Sequence, residues 1–340
     1  MQVAQPDSDD PAQHGLVADG VLSGCERAVP MRLITTSEIR TYQRCREEHR
    51  LTYLQGYRPE EPATALAFGT AIHAGLEQWW QPGELPLRLA TSVAAQKAAE
   101  LGLDVYERVA VQVMLEAYHA HWQGERDQYV VRSLETVFER DRDGYQLGGR
   151  YDGLIEADRP RRLLVLEHKT TSEEIAPGTE YWSHLALDRQ IDHYLIASQA
   201  SGVLYDVLRK PKIRPERATP IDRQKRRKDG QLYAGQREAD ETPQEWEARL
   251  RAAYADEEHG PWFVRREVVR LPHELHRANR ELDQLAGEIV AANPNRPAPR
   301  TGDSCRRYGR RCDYWLACTG QVELHELPLR RATATHEELA

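Results

Sequence analysis

Two acidic residues and a lysine stand near the ends of two successive predicted strands. Asp152 is followed fifteen residues later by Glu167, and Lys169 comes two residues after Glu167. Side chains two apart on a strand share a face, so Glu167 and Lys169 point the same way, and a tight hairpin brings Asp152 beside them. Two converging carboxylates can hold Mg2+ or Mn2+, and such a cation polarises a phosphoryl oxygen and acidifies a water molecule. The lysine then stands where it can stabilise charge that develops on phosphate.

The elements that must position these residues are three strands, predicted at about 129–141, 144–157 and 161–170. Turn-like segments separate them, and the third contains the apolar run LLVL, which is typical of a strand buried on both faces. The alternative for the acids and the lysine is an ordinary salt bridge at a strand end, since Glu-x-Lys is common in strands. Burial of the LLVL run favours a functional arrangement of the charges at its end.

Helices are predicted on both sides of these strands. The first begins at a capping box formed by Thr35 and Glu38, and the others cover 67–80, 86–101, 104–122, 187–200, 242–256 and 273–291. Two more strands are predicted at 203–209 and 262–271. We therefore expect an α/β fold, in which helices flank a central mixed sheet that carries the acids. An N-terminal helical region and a C-terminal cysteine-ligated segment are expected to close around this sheet.

Three further polar residues on predicted helices are candidates for the same site. His73 lies in the segment GTAIHAGLE, and Gln190 and Tyr194 have the i,i+4 spacing that places two side chains on one helix face. Taken alone, a helical histidine is more often a structural or surface residue. The Gln190–Tyr194 pair, taken alone, is more often the edge of a core.

In this order the motifs resemble the PD-(D/E)XK nuclease superfamily, and within it the RecB-like exonucleases and the CRISPR-associated adaptation nucleases. GTAIHAGLE is similar to the first motif of that family, GGRYDGLIE to the second and LLVLEHKTT to the third, and Gln190 with Tyr194 matches its Q-x-x-x-Y motif. Tyr151 stands where the proline of the family name would be. The resemblance covers roughly residues 31–320 and implies a sheet of restriction-endonuclease type.

The resemblance also implies a role for each of these residues. The implied metal ligands are the side chains of His73, Asp152 and Glu167 and the backbone carbonyl of His168. The implied catalytic residues are Asp152, Glu167, Lys169, Gln190 and Tyr194. Lys169 would be the catalytic lysine, and the last two would orient the lysine, the water or the DNA backbone. The implied activity is hydrolysis of DNA phosphodiester bonds with Mg2+ or Mn2+.

The cysteines suggest a second site. Cys305, Cys312 and Cys318 are separated by six and five residues, and Cys45 lies 260 residues upstream of the first of them. Three clustered thiolates and a remote one make a four-thiolate site, which suits either Zn2+ or a 4Fe-4S cluster, and unliganded thiols are a third interpretation. Cys25 is left over and is interpreted as a bystander.

The resemblance favours iron over zinc at these cysteines. Iron–sulfur members of the RecB-like group carry one cysteine before the nuclease core and three after it, which is the layout of this chain. In that group the three C-terminal cysteines have a spacing closer to C-x-x-C-x5-C. The six residues between Cys305 and Cys312 in this chain depart from that pattern. The implied 4Fe-4S cluster has a structural role as a clamp between the chain ends, with Zn2+ as the alternative.

A basic insertion, predicted over residues 209–260, follows the strand at 203–209. Its first part, 209–228, contains ten Lys or Arg against two acidic residues, a local charge of +8. Such a run most often forms a solvated loop, but beside a nuclease site phosphate binding is the better interpretation. Tyr308, Tyr314 and Trp315 would either stack on bases or pack around the cysteines. The candidate DNA-binding residues are Arg209, Lys210, Lys212, Arg214, Arg306 and Arg307.

Composition and charge exclude several protein classes. The 340 residues are 40% hydrophobic, which is enough for a core, and no apolar stretch approaches the roughly 18 residues of a membrane span. The first thirty residues lack the pattern of a secretory signal, and five cysteines are too few for a disulfide scaffold. We therefore expect a cytoplasmic protein of a bacterial or phage-infected cell. The net charge of −8 argues against a coat of nucleic acid, but it averages over the basic insertion and an acidic site.

These observations lead to one expectation of organisation and function. Residues 1–30 are expected to be a disordered tail, 31–320 the nuclease domain and 321–340 a C-terminal tail. The expected activity is that of an exonuclease on DNA ends or single strands, in recombination, repair or phage DNA processing. The alternatives are a non-catalytic DNA-binding module and a CRISPR-adaptation-type nuclease partner in a larger complex. Besides DNA, the expected partners are further copies of the chain or a recombination protein.

Overall fold

A mixed six-stranded sheet forms the centre of the fold. The computed structural model describes residues 31–61, 63–84, 86–158, 161–307 and 310–339. The side chains of Asp158 and Arg307 are not among the described parts. The N-terminal tail expected at 1–30, including Cys25, also lies outside the described residues. The described strands are β1 (Arg32–Thr35), β2 (Tyr57–Pro59), β3 (Tyr129–Arg142), β4 (Tyr145–Asp158), β5 (Arg161–Thr171), β6 (Gly202–Arg209), β7 (Phe263–Val268), β8 (Arg306–Arg307), β9 (Arg310–Arg311) and β10 (Leu329–Arg331).

Helices occupy most of the segments in which the sequence predicts them. They are α1 (Thr36–Arg44), α2 (Arg46–His49), α3 (Thr64–Trp80), α4 (Pro86–Glu100), α5 (Val105–Trp122), α6 (Glu180–Ser183), α7 (Arg189–Ser198), α8 (Pro243–Ala255), α9 (Pro272–Val290) and α10 (Trp315–Cys318). Thr35 caps α1 by accepting a hydrogen bond from the backbone N–H of Glu38, as its capping-box spacing predicts. None of these described helices is both long enough and apolar enough to cross a membrane.

The sheet mixes parallel and antiparallel pairs. β4 lies between β3 on one side and β1 and β5 on the other, and β6 and β7 follow β5. β1 is parallel to β4, and β5 is parallel to β6. The pairs β3–β4, β4–β5 and β6–β7 are antiparallel. The expected α/β fold with a mixed central sheet is confirmed.

Two helical layers bury β5 on both faces. Leu164 and Leu166 face the core beneath α3, α4 and α5. Val165, between them, faces the core formed with α1, α7 and α9. All three side chains are at most 1% exposed, as the apolar run LLVL predicts. Packing on both faces therefore fixes β5, whose end carries Glu167 and Lys169.

Gly75 lets α3 pack closely against the next two helices. A Cβ atom at this position would lie 2.6 Å from Leu115 Cδ1 and 3.1 Å from Ala94 Cβ, so a larger residue would push the helices apart. His73 lies on the same helix, two residues earlier. The close packing therefore helps to set where His73 lies relative to the sheet.

The C-terminal segment folds back onto the start of the domain. β10 pairs antiparallel with β2. Thr35 Oγ1 donates a hydrogen bond to Glu338 at 2.8 Å, and His336 Nε2 lies 3.0 Å from the Leu33 carbonyl oxygen. The sequence presents these residues only as a polar tail, yet in the structure they cover the junction of β1 and α1.

Candidate active site

The candidate active site lies at a fork in the sheet, where β4 and β5 separate. The two strands pair as far as Gly153 and Leu166, and beyond that point β5 continues to pair with β6. There the backbone N–H of His168 donates a hydrogen bond to the Asp152 carboxylate at 2.7 Å, in place of a strand partner. Asp152 and Glu167 therefore lie on the two sides of one opening.

Lys169 belongs to a continuous chain of hydrogen bonds. Its Nζ donates to the Glu167 carboxylate and, at 2.8 Å, to Gln190 Oε1. Gln190 Nε2 donates to Glu167 at 2.8 Å and to the Tyr194 hydroxyl at 2.7 Å. The Tyr194 hydroxyl donates in turn to the Arg150 carbonyl at 2.8 Å. The structure thus brings together the lysine, one acid and the Q-x-x-x-Y pair.

His73, Glu135 and Asp152 bring three ligand atoms together on the other side of the opening. One atom from each lies within 4.8 Å of the other two, and His73 Nδ1 is 3.4 Å from Asp152 Oδ1. Glu167 adds a buried oxygen, Oε2, that has no hydrogen-bond partner among the described residues. A buried carboxylate oxygen without a partner is costly unless a cation compensates it. An imidazole with several carboxylates is a donor set that fits Mg2+ or Mn2+.

The crowding of these carboxyl groups changes their pKa values. Burial, to which the Asp152 charge adds, raises the pKa of Glu135 to about 7, and burial also raises the pKa of Glu167. Asp152 is buried as well, but the neighbouring His73 holds its pKa below the usual value. Asp152 therefore ionises more readily than Glu135 and Glu167, whose raised pKa values a bound cation would lower.

Glu135 is the residue of this site that the sequence analysis misses. It stands opposite Asp152 in the register of β3 and β4, and its φ of +45° is rare outside glycine. Its Oε2 also lies 3.0 Å from Arg150 Nε. A signal was available, since the tight turn at Asp143–Gly144 fixes the register and counting outward from it places Glu135 opposite Asp152. Like charges opposite each other are destabilising, so a cation would give this arrangement a physical reason.

A buried ionic network lies behind the site and was also not predicted. The side chain of His168, whose carbonyl is the predicted ligand, has its Nδ1 3.3 Å from Asp206 Oδ2. Asp206 is fully buried and pairs with Arg265, whose Nε is 3.3 Å from Oδ1. Burial opposes ionisation of Asp206, but Arg265 lowers its pKa to about 2. The guanidinium of Arg265 lies 4.1 Å from the ring centre of Trp122, so this network also ties β7 to α5.

Four cysteines from the two ends of the domain line one small cavity. Cys45 is buried at the break between α1 and α2, and it shares the cavity with Cys305, Cys312 and Cys318. Burial raises the pKa of Cys312 to about 12 and also raises that of the other two C-terminal cysteines. Free thiols in this place would be neutral and unreactive, so their grouping points to a ligand-binding role.

The cysteine sulfur atoms lie further apart than one zinc ion requires. In a tetrahedral site with Zn–S distances of about 2.3 Å, the sulfur atoms are about 3.8 Å from one another. Among these four cysteines, all of which are described, no three sulfur atoms lie within 4.8 Å of one another. The spacing of the four sulfur atoms is therefore wider than that of a tetrahedral zinc site.

The candidate DNA-binding residues fall in different surroundings. Lys210, Lys212 and Arg214 line a groove beside the end of β5. Arg209 instead pairs with Glu174 at 2.8 Å, and its side chain is 11% exposed. Other arginines of the insertion are paired with acidic residues of the same segment, for example Arg217 with Asp240 and Arg226 with Glu238. The net local charge therefore overstates the number of positively charged side chains that can bind phosphate.

The arginines between the cysteines are only partly described. Arg306 is exposed on β8, whereas the Arg307 side chain and Tyr308 lie outside the described residues. Tyr314 is 3% exposed, and its hydroxyl donates to the Tyr57 carbonyl at 2.8 Å. The sequence left open whether these aromatic residues stack on bases or pack around the cysteines. Tyr314 is buried and therefore packs around the cysteines.

Comparison with protein families decides which class of enzyme this site belongs to. A family model of the PD-(D/E)XK nuclease superfamily matches residues 34–319. The chain belongs to the PD-(D/E)XK nuclease superfamily. Members of this superfamily hydrolyse phosphodiester bonds with divalent metals, so membership implies a metal-dependent nuclease with DNA as its substrate.

Other comparisons add little to the superfamily match. Among solved structures, the crystal structure of SSO0001 is 13% identical, covers 84% of this chain and 97% of its own, and has a TM-score of 0.30. At that TM-score the likeness carries no argument. No curated protein sequence matches the chain.

The raised pKa of Glu135 leads to a prediction for this superfamily member. In the metal-free protein the folded state keeps a proton that the unfolded chain releases, so this group's contribution to stability falls as the pH rises from about 4.5 to about 7. A cation bound to the ionised Glu135 carboxylate restores the stability that is lost at the higher pH. We expect Mn2+ to raise the melting temperature by several degrees at about pH 8 and by little at about pH 5.5.

The variant Glu135→Gln tests whether this carboxylate is responsible. It is expected to lose most of the Mn2+-induced shift at about pH 8, with Mn2+ affinity in calorimetry falling roughly tenfold. Glu139→Gln is the matched control, because Glu139 is exposed on the same strand. Equal Mn2+ shifts in the Glu135→Gln variant and the wild type would exclude Glu135 as a ligand.

Proposed function

We propose that this protein is a divalent-metal-dependent exonuclease that acts on DNA ends or single strands. One observation carries the proposal: the Lys169 ammonium is held by Glu167 and Gln190 beside the cluster of His73, Glu135 and Asp152. A cation site and a positively charged donor next to each other can together stabilise the charge that develops when a phosphodiester is cleaved. The completeness of this set argues against the alternative of a non-catalytic DNA-binding module.

The proposed roles follow from the contacts of each side chain. The proposed ligands are the side chains of His73, Glu135, Asp152 and Glu167 and the backbone carbonyl of His168. A bound Mg2+ or Mn2+ supplies Lewis acidity, which polarises the scissile phosphate and lowers the pKa of water. Lys169 directs its one remaining N–H donor at the charge that develops on the phosphate. Gln190 positions Lys169, and Tyr194 fixes Gln190 through its own bond to the backbone.

We also propose that the four cysteines hold a 4Fe-4S cluster rather than Zn2+. The separation of the sulfur atoms and the layout of one cysteine before and three after the nuclease motifs support this choice. Such a cluster would tie the α1–α2 junction to the C-terminal segment and would act as a structural clamp.

The proposed organisation is a nuclease domain over residues 31–320 with a DNA-binding insertion at 209–260. DNA ends arise in recombination, repair and phage DNA processing, and these are the processes in which we place the protein, in the cytoplasm of a bacterial or phage-infected cell. A homo-oligomer or a complex with a recombination partner is compatible with this role.

A comparison of linear and circular single-stranded DNA tests the exonuclease proposal. With Mn2+ or Mg2+, the purified protein is expected to release short products from end-labelled linear strands and to leave closed circles intact. Linear and blunt duplex substrates, run in parallel, report its strand preference. Efficient cutting of the circles would show an endonuclease and would overturn the exonuclease assignment, while leaving the metal-dependent nuclease assignment in place.

A further inference from the structure

We propose that a groove between the basic insertion and α5 is a subsite for a single strand of DNA. The inference rests on the proposed nuclease function and adds to it the path of the substrate. The groove has a volume of about 910 Å³ and is lined by α3, α5, α8, the end of β5 and residues 210–217 of the insertion. That volume lies within the range of about 300–1,000 Å³ that is typical of ligand sites.

The groove adjoins α3 and the end of β5, two of the elements that carry the candidate active site. Phe68 lines it, and His73 follows five residues later on the same helix, a rise of roughly 7.5 Å. Thr170, the residue after Lys169, also lines the groove. The backbone N–H of Lys210 donates to the Thr171 carbonyl at 2.7 Å, so the insertion is tied to the strand that bears the lysine. A strand lying in the groove would therefore lead to the proposed metal site.

The wall formed by the insertion carries two exposed cations, Lys212 and Arg214, whereas the Lys210 ammonium lies 3.5 Å from the ring centre of Phe68. Lys210, Lys212 and Arg214 have no ion-pair partner among the described residues, whereas Arg209 and Arg217, which flank this stretch, are both paired. A phosphate backbone bound along Lys212 and Arg214 would be attracted to these cations and would release counterions.

The acidic lining residues are on the remaining walls. They are Asp104, Glu107 and Glu173. Asp104 is already used as the cap of α5, because it accepts a hydrogen bond from the backbone N–H of Glu107 at 2.8 Å. The positive potential is thus concentrated on the insertion, and a phosphate backbone would follow that wall with its bases toward α5 and α8.

The insertion wall is held in shape before any DNA binds. Glu241 is 1% exposed and accepts hydrogen bonds from Arg249 at 2.9 Å and from the backbone N–H of Glu216 at 2.8 Å. Trp246 Nε1 donates to the Tyr106 carbonyl at 3.0 Å, which closes the floor between α8 and α5. A preformed wall lowers the entropy that binding must overcome.

The size of the groove favours one strand over two. A space of about 910 Å³ is the size of a site for a small ligand or a few nucleotides, far smaller than a DNA duplex. It can admit a strand with its bases, whereas a whole duplex must remain outside. Single-stranded DNA is therefore the occupant that both the shape and the charge favour.

The charge reversal Lys212→Glu with Arg214→Glu tests the subsite in the full-length protein. Binding of fluorescein-labelled oligo-dT is measured by anisotropy with EDTA present, so that no cleavage occurs. We expect at least a tenfold loss of affinity, and a decrease of about 1.4 in the slope of log affinity against log salt, since two phosphate contacts are removed. Arg277→Glu with Arg280→Glu is the matched control, because both residues are exposed on α9, outside the insertion and outside the groove.

The outcomes separate this inference from the proposed function. A loss of oligo-dT binding in the groove variant, with the control unchanged, supports the subsite even if the wild type fails to cleave DNA. An equal loss in both variants, no loss in either, or a loss confined to blunt duplex would overturn it. Melting curves of Lys212→Ala with Arg214→Ala check folding, and that variant is expected to show a smaller loss in the same direction.

Discussion

Replacing Lys169 with alanine is expected to lower the rate of DNA cleavage by about 10²–10³-fold or more. Lys169 is the cation that Glu167 and Gln190 hold at the fork of the sheet, beside the proposed ligands. Removal of a single preorganised donor to a developing negative charge costs about 3–4 kcal/mol in comparable enzymes. Because the Lys169 side chain is 30% exposed, its truncation removes little packing, so the fold and the DNA affinity should survive.

The measurement is single-turnover cleavage of labelled DNA together with oligonucleotide binding. Lys97→Ala is the control, because Lys97 lies on α4 with 42% of its side chain exposed and makes only a surface pair with Glu100. The control should cleave at the wild-type rate. Unchanged cleavage by the Lys169→Ala protein would remove the lysine from the mechanism.

Replacing Cys45 with serine is expected to abolish the proposed cluster and to lower the melting temperature by roughly 5–15 °C. The cluster would link segments 260 residues apart. A crosslink that closes a long loop adds about 2–4 kcal/mol to the free energy of unfolding. In a large domain, each kcal/mol raises the melting temperature by about 2–4 °C. The proposed cluster binds only when the fold brings the four cysteines together. Its binding free energy therefore adds to the stability of the folded state.

Anaerobic purification with metal analysis and visible absorbance measures this effect. The wild type is expected to be brown and to contain iron, and the Cys45→Ser variant to be pale and less stable. Cys25→Ser is the control for the same chemical change at the cysteine left out of the proposed site. A colourless wild type with stoichiometric zinc would replace the cluster by Zn2+, and equal melting temperatures would contradict the clamp.

The sequence predicts the site best where the chemistry follows local periodicity. Glu167 and Lys169 share a strand face, and both reach Gln190, as their spacing of two implies. Asp152 comes beside them because the strands on either side of a short connection pair antiparallel. The mixed α/β sheet is predictable for the same reason, since the apolar run of β5 marks a strand covered on both faces.

Features that depend on how distant parts of the chain meet were harder to predict. Glu135 belongs to no motif, and only the register counted outward from the Asp143–Gly144 turn could have placed it opposite Asp152. Asp206 and Arg265 form their buried pair across β6 and β7, in segments that read as ordinary strands. The charge of the insertion was visible, but the pairing of its arginines with acids some twenty residues away in the sequence is a tertiary property. Such pairs are decided by which surfaces the fold brings together.

Metal-dependent cleavage of linear single-stranded DNA by the purified protein tests the central claim most directly. The assay compares Mn2+, Mg2+ and EDTA, with the wild type and the Lys169→Ala protein side by side. We predict rapid shortening of the labelled strand with either cation, none with EDTA, and recovery when excess Mn2+ is added. Cleavage that persists in EDTA, or that is equal in the two proteins, would contradict a nuclease built on His73, Asp152, Glu167 and Lys169.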